Sequence, residues 1–402
     1  MKNVVFVIVF FLSATSVFTQ DYWEQKDSVK GPPKSAAAAF SLGSVGLIVC
    51  GLDEVEFKRK SYVYSPFLND WDETTPLGGD IGDGLQRASA CGFSIENNGV
   101  TKGYVALGQA QTVPFLNDLW EFDPVSEAWS QKADFIGAPR RQAVSFVIGS
   151  KAYIGTGEGA SGVLKDFYVY DVQSNSWDQI SDFAGTARRQ AIAFTLAGKG
   201  FIGTGDDGTK RNDFWMYNPQ TDQWILKAQF PGIARSGACA WSNEPSAFVG
   251  TGEGSDFAFL KDLYEYNYYT NSWVQRANLP GAPRKNAIAF CLDGVGYVGT
   301  GYNNQFLDDF YAYYQLVGND ELQIDEVSIH SNLTENSVYL NSKNDLIQSV
   351  SLVNSLGQNV LEIDNVQQQN YILNIQELPT GTYFISIECQ SLKRTNSTLF
   401  KL

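Results

Sequence analysis

Histidine is almost missing from this chain: there is one in 402 residues, His330, beside five cysteines and two methionines. That scarcity excludes, over residues 21–314, a two-histidine metal centre or a Ser–His–Asp hydrolase. Basic charge is short as well, with 29 Lys and Arg against 44 Asp and Glu, for a net −15. Nucleic acid is thereby excluded as a partner, because phosphate binding needs a basic surface. The cysteines, Cys50, Cys91, Cys239, Cys291 and Cys389, sit singly in apolar runs and match no metal or disulfide framework. They read as buried small side chains, with a single bridge left open. No metal and no cofactor is expected. No apolar run after the N-terminus is long enough to cross a membrane.

What is present begins with MKNVVFVIVFFLSATSVFTQ (1–20), where Lys2 precedes an apolar run and a small-residue exit. This predicts a secretory signal peptide, cleaved near Thr19 or Gln20. Aromatics make up 14% of the chain, which leans towards β structure.

The main feature is a repeat. GAPRRQAVSFVIGSKAYIGTG (137–157) is rewritten as GTARRQAIAFTLAGKGFIGTG (185–205). One spacing separates Lys34 from Gly51, Arg140 from Gly157, Arg188 from Gly205, Arg235 from Gly252 and Arg284 from Gly301. A second separates Asp118 from Trp129, Asp166 from Trp177, Asp213 from Trp224 and Asp262 from Trp273. Each unit holds four short β-rich runs joined by turns, the sequence signature of a propeller blade. The last unit lacks a Trp, and WEQKDSVKGPPKSAAAAF (23–40) aligns without a gap on WVQRANLPGAPRKNAIAF (273–290). The N-terminal strand is therefore expected to complete the last blade. The predicted fold is all-β: a six-bladed propeller over 21–314, with Trp23, Trp71, Trp129, Trp177, Trp224 and Trp273 one per blade.

The glycine-closed strands and the turns DPVSEAW (123–129) and NPQTDQW (218–224) resemble kelch repeats, in a variant with G-T-G where a glycine pair is usual. Gly157, Gly205, Gly252 and Gly301 are expected to admit close backbone approach, and the Trp side chains to fill space between blades. The Asp opening each third strand (Asp118, Asp166, Asp213, Asp262, Asp309) is expected to bond loop amides. The resemblance extends to copper oxidases of galactose, whose chemistry implies histidine ligands. The single histidine excludes that activity here.

Loop length varies on one face, where strands 2 and 3 and successive blades are joined; GGDIGDG (78–84) is an insertion there, and ENNGVTK (96–102) lies on the opposite face. Candidate ligand-binding residues on the variable face are Arg87, Arg140, Arg188, Arg235 and Arg284, with Glu158, Asp206 and Glu253 just after the glycines. Tyr302, Asn303 and Asn304 are further polar candidates. Two readings of the arginines stay open: a ring that holds a carboxylate or sulfate, or a lock in which each Arg pairs with a neighbouring blade. No catalytic residue is assigned.

After a linker at 315–324, the segment 325–402 alternates short strands and turns and predicts a small Ig-like β-sandwich. VSLVNSLGQNV (350–360), IQELPTGTYFISI (375–387) and the final TNSTLFKL resemble the type A sorting domain of the Bacteroidetes type IX secretion system. The marks are Leu356, Gly357, Gly381, Tyr383 and Lys401; where that family carries P-N-P, IHSNLTEN (329–336) keeps only Asn332. The resemblance implies the type IX machinery as a partner and passage through the periplasm to the outer surface or medium. The expected protein is a monomeric, exported binding module for a glycan or extracellular protein. The alternatives are a carbohydrate-active enzyme resembling kelch-type sialic acid mutarotases, or a purely structural surface protein.

Overall fold

The computed structural model describes residues 21–79, 84–97, 99–315, 327–331, 337–342, 346–354, 358–379, 381–390 and 394–401. The expected signal peptide, most of the 315–324 linker, and Asn332, Leu356 and Gly357 lie outside these residues. The chain divides into two units, Met1–Leu316 and Val317–Leu402. The described residues contain strands, turns and irregular segments but no helix.

In the first unit they form six four-stranded antiparallel sheets, in the segments 38–74, 91–131, 144–180, 192–226, 239–276 and 288–314. The last segment supplies three strands, and Tyr22–Lys26 supplies the fourth by pairing with Phe310–Tyr314 in the register Trp23↔Tyr313. The third sheet shows why each unit folds this way. In Val144–Ile148, Val144 and Phe146 are buried and Ser145, Val147 and the terminal Ile148 half-buried, so alternation holds until the strand's last residue. Lys151–Gly155 is buried after its first residue, whereas Ser176–Ile180 buries only Trp177. Burial therefore falls from the inner strands to the fourth. The first strand of each sheet packs against the first strand of the next, and that of the sixth against that of the first.

Aromatic side chains join neighbouring sheets. Phe290 of the sixth sheet lies over Gly46 of the first, where a Cβ would stand 2.4 Å from its ring. A larger residue at 46 would push the two sheets apart. The repeat tryptophans bridge the same seams. Their indole N–H groups donate to carbonyls of the preceding sheet: Trp23 to Ala277 (2.8 Å), Trp71 to Asp27 (3.1 Å), Trp129 to Thr75 (2.9 Å) and Trp177 to Ala133 (2.9 Å). Trp224 and Trp273 do the same to Ser181 (3.3 Å) and Ala228 (2.9 Å). Each thus gives apolar area to the seam and satisfies its one donor.

The second unit holds a three-stranded sheet (Val327–Ser331, Ser337–Ser342, Asn370–Asn374) and a four-stranded sheet (Asn359–Gln368, Ile347–Asn354, Gly381–Cys389, Arg394–Lys401). Val338, Leu340 and Leu373 from one sheet and Val350, Leu352, Ile385 and Ile387 from the other share one core. All five cysteines are free thiols. Burial pushes Cys50 and Cys91 up to about 12, far from the reactive thiolate range.

Candidate functional site

The five repeat arginines do not reach solvent. Arg87, Arg140, Arg188, Arg235 and Arg284 are each 0% exposed. Arg140 donates through Nη1 and Nη2 to the two carboxylate oxygens of Asp166, both at 2.7 Å, and also to the carbonyls of Thr156 (3.0 Å) and Ala138 (2.9 Å). The same fork joins Arg87 to Asp118, Arg188 to Asp213, Arg235 to Asp262 and Arg284 to Asp309. Phe135, Phe183 and Phe230 lie under three of the guanidinium planes at 4.9, 5.0 and 4.8 Å. Bidentate geometry and extra carbonyl acceptors are what a buried guanidinium requires. Neither sequence reading describes this arrangement. The arginines do not line a mouth, and their side chains pair within their own repeat rather than across to a neighbour. The aspartates accept chiefly from Arg, and among backbone amides Asp166 and Asp213 draw on their own.

Neighbouring repeats are joined by backbone. The Gly157 amide donates to the Arg188 carbonyl at 2.7 Å, and Gly51, Gly108, Gly205 and Gly252 do the same to Arg87, Arg140, Arg235 and Arg284. The Gly301 amide returns to the Lys34 carbonyl at 2.8 Å. Gly157 has φ +90, and a Cβ there would stand 2.8 Å from the Arg141 carbonyl oxygen, so no other residue fits. Inside this ring, Ala37, Ala90, Ala143, Ala191, Ala238 and Ala287 line a narrow axial space of about 140 Å³ that holds no ionisable group.

In three repeats the next residue is also basic and half-buried: Arg141, Arg189 and Lys285 follow Arg140, Arg188 and Arg284, while the half-buried Glu158, Asp206 and Glu253 follow the closing glycines. Glu158 accepts from Arg141 (2.8 Å) and from Arg189 (2.8 Å), and Arg141 also donates to Gln109. Glu253 accepts from Lys210 and Lys285, and Arg211 meets Asp207 at 2.7 Å. Asp206 stands 3.8 Å from Arg189. Burial acts to raise the Glu158 carboxyl, but Arg141 and Arg189 outweigh it and hold the group below the ordinary carboxylate range. Lys210 and Lys285 do the same for Glu253. Both are fixed anions at neutral pH, which disfavours them as proton donors. Arg141, Arg189 and Lys285 are absent from the sequence-derived candidates. The signal was the doubled basic pair, because successive residues of an extended chain point to opposite sides.

Aromatics stand beside these ion pairs. Phe257, 77% exposed, lies under Lys210, Phe259 under Lys285 and Phe115 under Arg141. Tyr302 packs edge-on against Phe259 and Phe306. Tyr302, Asn304 and Phe306 enter a cavity of about 450 Å³ with Pro32, Asp53 and Val55. The structure thus brings Glu158, Asp206, Glu253, Tyr302 and Asn304 to the variable face, and withdraws the five arginines from it.

Two family models match. The KLHDC2/KLHL20/DRC7 Kelch-repeats domain matches residues 36–232, and the Secretion system C-terminal sorting domain matches residues 328–401. The chain carries kelch repeats and a type IX sorting domain. No curated protein matches it. Among the sorting-domain marks, Tyr383 is buried and donates its hydroxyl to the Pro379 carbonyl at 2.7 Å. Gly381 pairs with Lys401 at the end of the last two strands. The sorting domain marks the kelch protein for export to the cell surface or the medium, through the type IX machinery. Among the described residues no helix is long and apolar enough to cross a membrane.

Proposed function

We propose that this is an exported six-bladed kelch propeller, closed by its N-terminal strand, whose variable face binds a glycan or an extracellular protein. The route runs through the periplasm, after removal of a signal peptide, and ends with the C-terminal domain presented to the type IX machinery. The observation that carries the binding reading is the conjunction at Tyr302 and Phe306. There a cavity of about 450 Å³, two aromatic faces and fixed charges meet on the loop-bearing side of a rigid scaffold. Edge-on aromatic rings flanked by ion pairs offer faces that suit sugar rings and peptide side chains alike. Fixed anions at Glu158 and Glu253 support binding over proton transfer.

The test is a thermal-shift and glycan-array screen on the chain from Asp21 onward. A ligand that binds the folded state raises the melting temperature. Tyr302→Ala and Phe257→Ala should abolish the response while leaving the unliganded melting temperature nearly unchanged. A hit that survives both substitutions would place binding elsewhere. Loss of secretion on deleting 325–402, with the kelch unit retained inside the cell, tests the export half separately.

A further inference from the structure

Five of the six sheets answer their buried guanidinium with a carboxylate from the same repeat. The first sheet does not. Backbone pairing fixes the register: the Thr156 amide donates to the Asp166 carbonyl (3.3 Å), and the Cys50 amide donates to the Lys60 carbonyl (3.0 Å). Lys60 therefore stands where the others have Asp, and Lys34, whose carbonyl accepts from Gly301, stands where they have Arg. Tyr62 takes the place of Tyr168, whose hydroxyl donates to Asp166 at 3.1 Å; Trp120 and Trp215 serve Asp118 and Asp213 from the same position at 2.7 and 2.8 Å. The first sheet keeps the buried cation and the aromatic donor, and has lost the anion between them.

Lys34 is only 2% exposed. Its Nζ donates to the Lys30 carbonyl (3.1 Å) and lies 4.3 Å from the centre of the Tyr62 ring; among the described residues it has no ion pair. The Lys60 ammonium is turned to Glu73 (2.8 Å), and Lys58 to Asp53 (2.7 Å) and Glu56 (3.1 Å). Lys34 and Tyr62 line a cavity of about 470 Å³ whose wall carries five basic side chains and the two carboxylates Glu56 and Glu73. In a chain of net charge −15 this is a basic pocket built around an unanswered buried ammonium.

We propose that this cavity is a binding site for a small organic carboxylate, whose oxygens take the place that Asp holds in the other five sheets and accept from Lys34 Nζ and the Tyr62 hydroxyl. A carboxylate fits better than a tetrahedral dianion, because the replaced group is itself a planar monoanion and Glu56 and Glu73 repel a second charge. The volume leaves room for a body of sugar size behind the anion. The site is separate from the Tyr302 cavity, with Pro32 lining both, and it does not depend on the glycan-or-protein reading.

Calorimetry on the chain from Asp21 onward tests it, with acetate, D-glucuronate, D-glucose and sulfate at one ionic strength. Saturable binding is expected for glucuronate and acetate, and none for glucose. Affinity should fall roughly tenfold or more in Lys34→Met and by less in Tyr62→Phe, since the ammonium supplies an opposite charge as well as a hydrogen bond and the hydroxyl a hydrogen bond alone. Tyr62→Phe removes one oxygen and keeps the packing, so it reports even if Lys34→Met folds poorly. Tyr302→Ala should leave these affinities unchanged, which separates this site from the one above. Equal binding of glucuronate and glucose, equal binding of sulfate, no binding of either carboxylate, or affinity retained in both variants would overturn the proposal.

Discussion

The Ala36 amide donates to the Asn286 carbonyl at 3.0 Å, joining the first repeat to the last. The same bond recurs at every seam: Ser89 to Ala36, Gln142 to Ser89, Gln190 to Gln142, Gly237 to Gln190 and Asn286 to Gly237. Ala36, Ser89, Gln142, Gln190 and Asn286 have φ between 52 and 57, and Gly237 has φ 63, so each residue turns its chain to face the next. A non-glycine residue in this region carries strain, which persists because six identical bonds hold it. A cycle of this kind depends on every seam, and the sixth sheet is completed by the strand Tyr22–Lys26 from the opposite end of the same unit.

The first prediction concerns that strand. Deleting residues 21–26 removes the strand paired with Phe310–Tyr314 and the Trp23 indole bond to Ala277. The freed edge then offers unpaired backbone groups to other molecules. The deletion should lower the melting temperature and produce concentration-dependent association, read by light scattering. Trp23→Ala alone should cost about 2–3 kcal/mol in urea unfolding, less than a fully buried Trp because the side chain is half-buried. An unchanged midpoint would mean that the sixth sheet does not depend on this strand.

A second prediction follows from the buried forks. Removing one partner leaves the other charge buried, so Arg140→Met should cost about 3–5 kcal/mol at pH 7. Burial acts to raise the Asp166 carboxyl, and Arg140 outweighs it and holds the group below its usual value. A depressed folded pKa contributes stability that is present above the unfolded value and is lost as pH falls through the folded one. The gap between wild type and Arg140→Met should therefore narrow as pH is taken below the ordinary aspartate range. Urea midpoints at pH 7 and pH 3 read it, and a constant gap would rule out a charge-based origin.

Much of this was legible in the sequence, for a physical reason. Spacing is conserved between repeats wherever regular strands fix it, so Trp23 could be assigned to the last sheet from a gapless alignment alone. The Arg–Asp forks were not legible. Their partners lie 31, 26, 25, 27 and 25 residues apart, because the variable loop intervenes between them. Nor does period-two reasoning say which of Arg140 and Arg141 turns inward. Both precede the regular strand, at isolated bridges followed by Gln142 at φ 55. The missing carboxylate of the first sheet became visible only once the other five were seen paired.

The third prediction isolates backbone conformation. Gly157→Ala places a methyl 2.8 Å from the Arg141 carbonyl oxygen at a φ of +90. Strain of that kind costs on the order of 1–3 kcal/mol before any displacement of the Arg141 strand. Gly149→Ala is the control: its turn has φ +59, and nothing lies within 4 Å of the added methyl. Urea midpoints should fall much further for the first variant than for the second; equal losses would show that the close approach adds nothing.

The last prediction concerns Lys34 without any ligand. Burial lowers its ammonium to about 8 from an ordinary 10.5, and Asp53 and Asp308 offset this less than burial and the charges of Lys58 and Lys60 promote it. Between pH 8 and 10.5 the unfolded chain binds the proton that the folded chain has released, so this group's contribution to stability rises with pH across that window. Below pH 8 the folded protein carries the whole cost of a buried, unpaired charge, about 3 kcal/mol at 1.36 kcal/mol per pKa unit. Lys34→Met should thus be more stable than wild type at pH 7, and the advantage should shrink between pH 8 and 10.5. Taking the difference between the two proteins at each pH cancels the tyrosines and other lysines that titrate nearby. Saturating glucuronate at pH 7 should also shrink it, by stabilising wild type alone. A difference that ignores both pH and glucuronate would mean that Lys34 already has its counter-charge, and the first sheet would then be merely a variant of the other five.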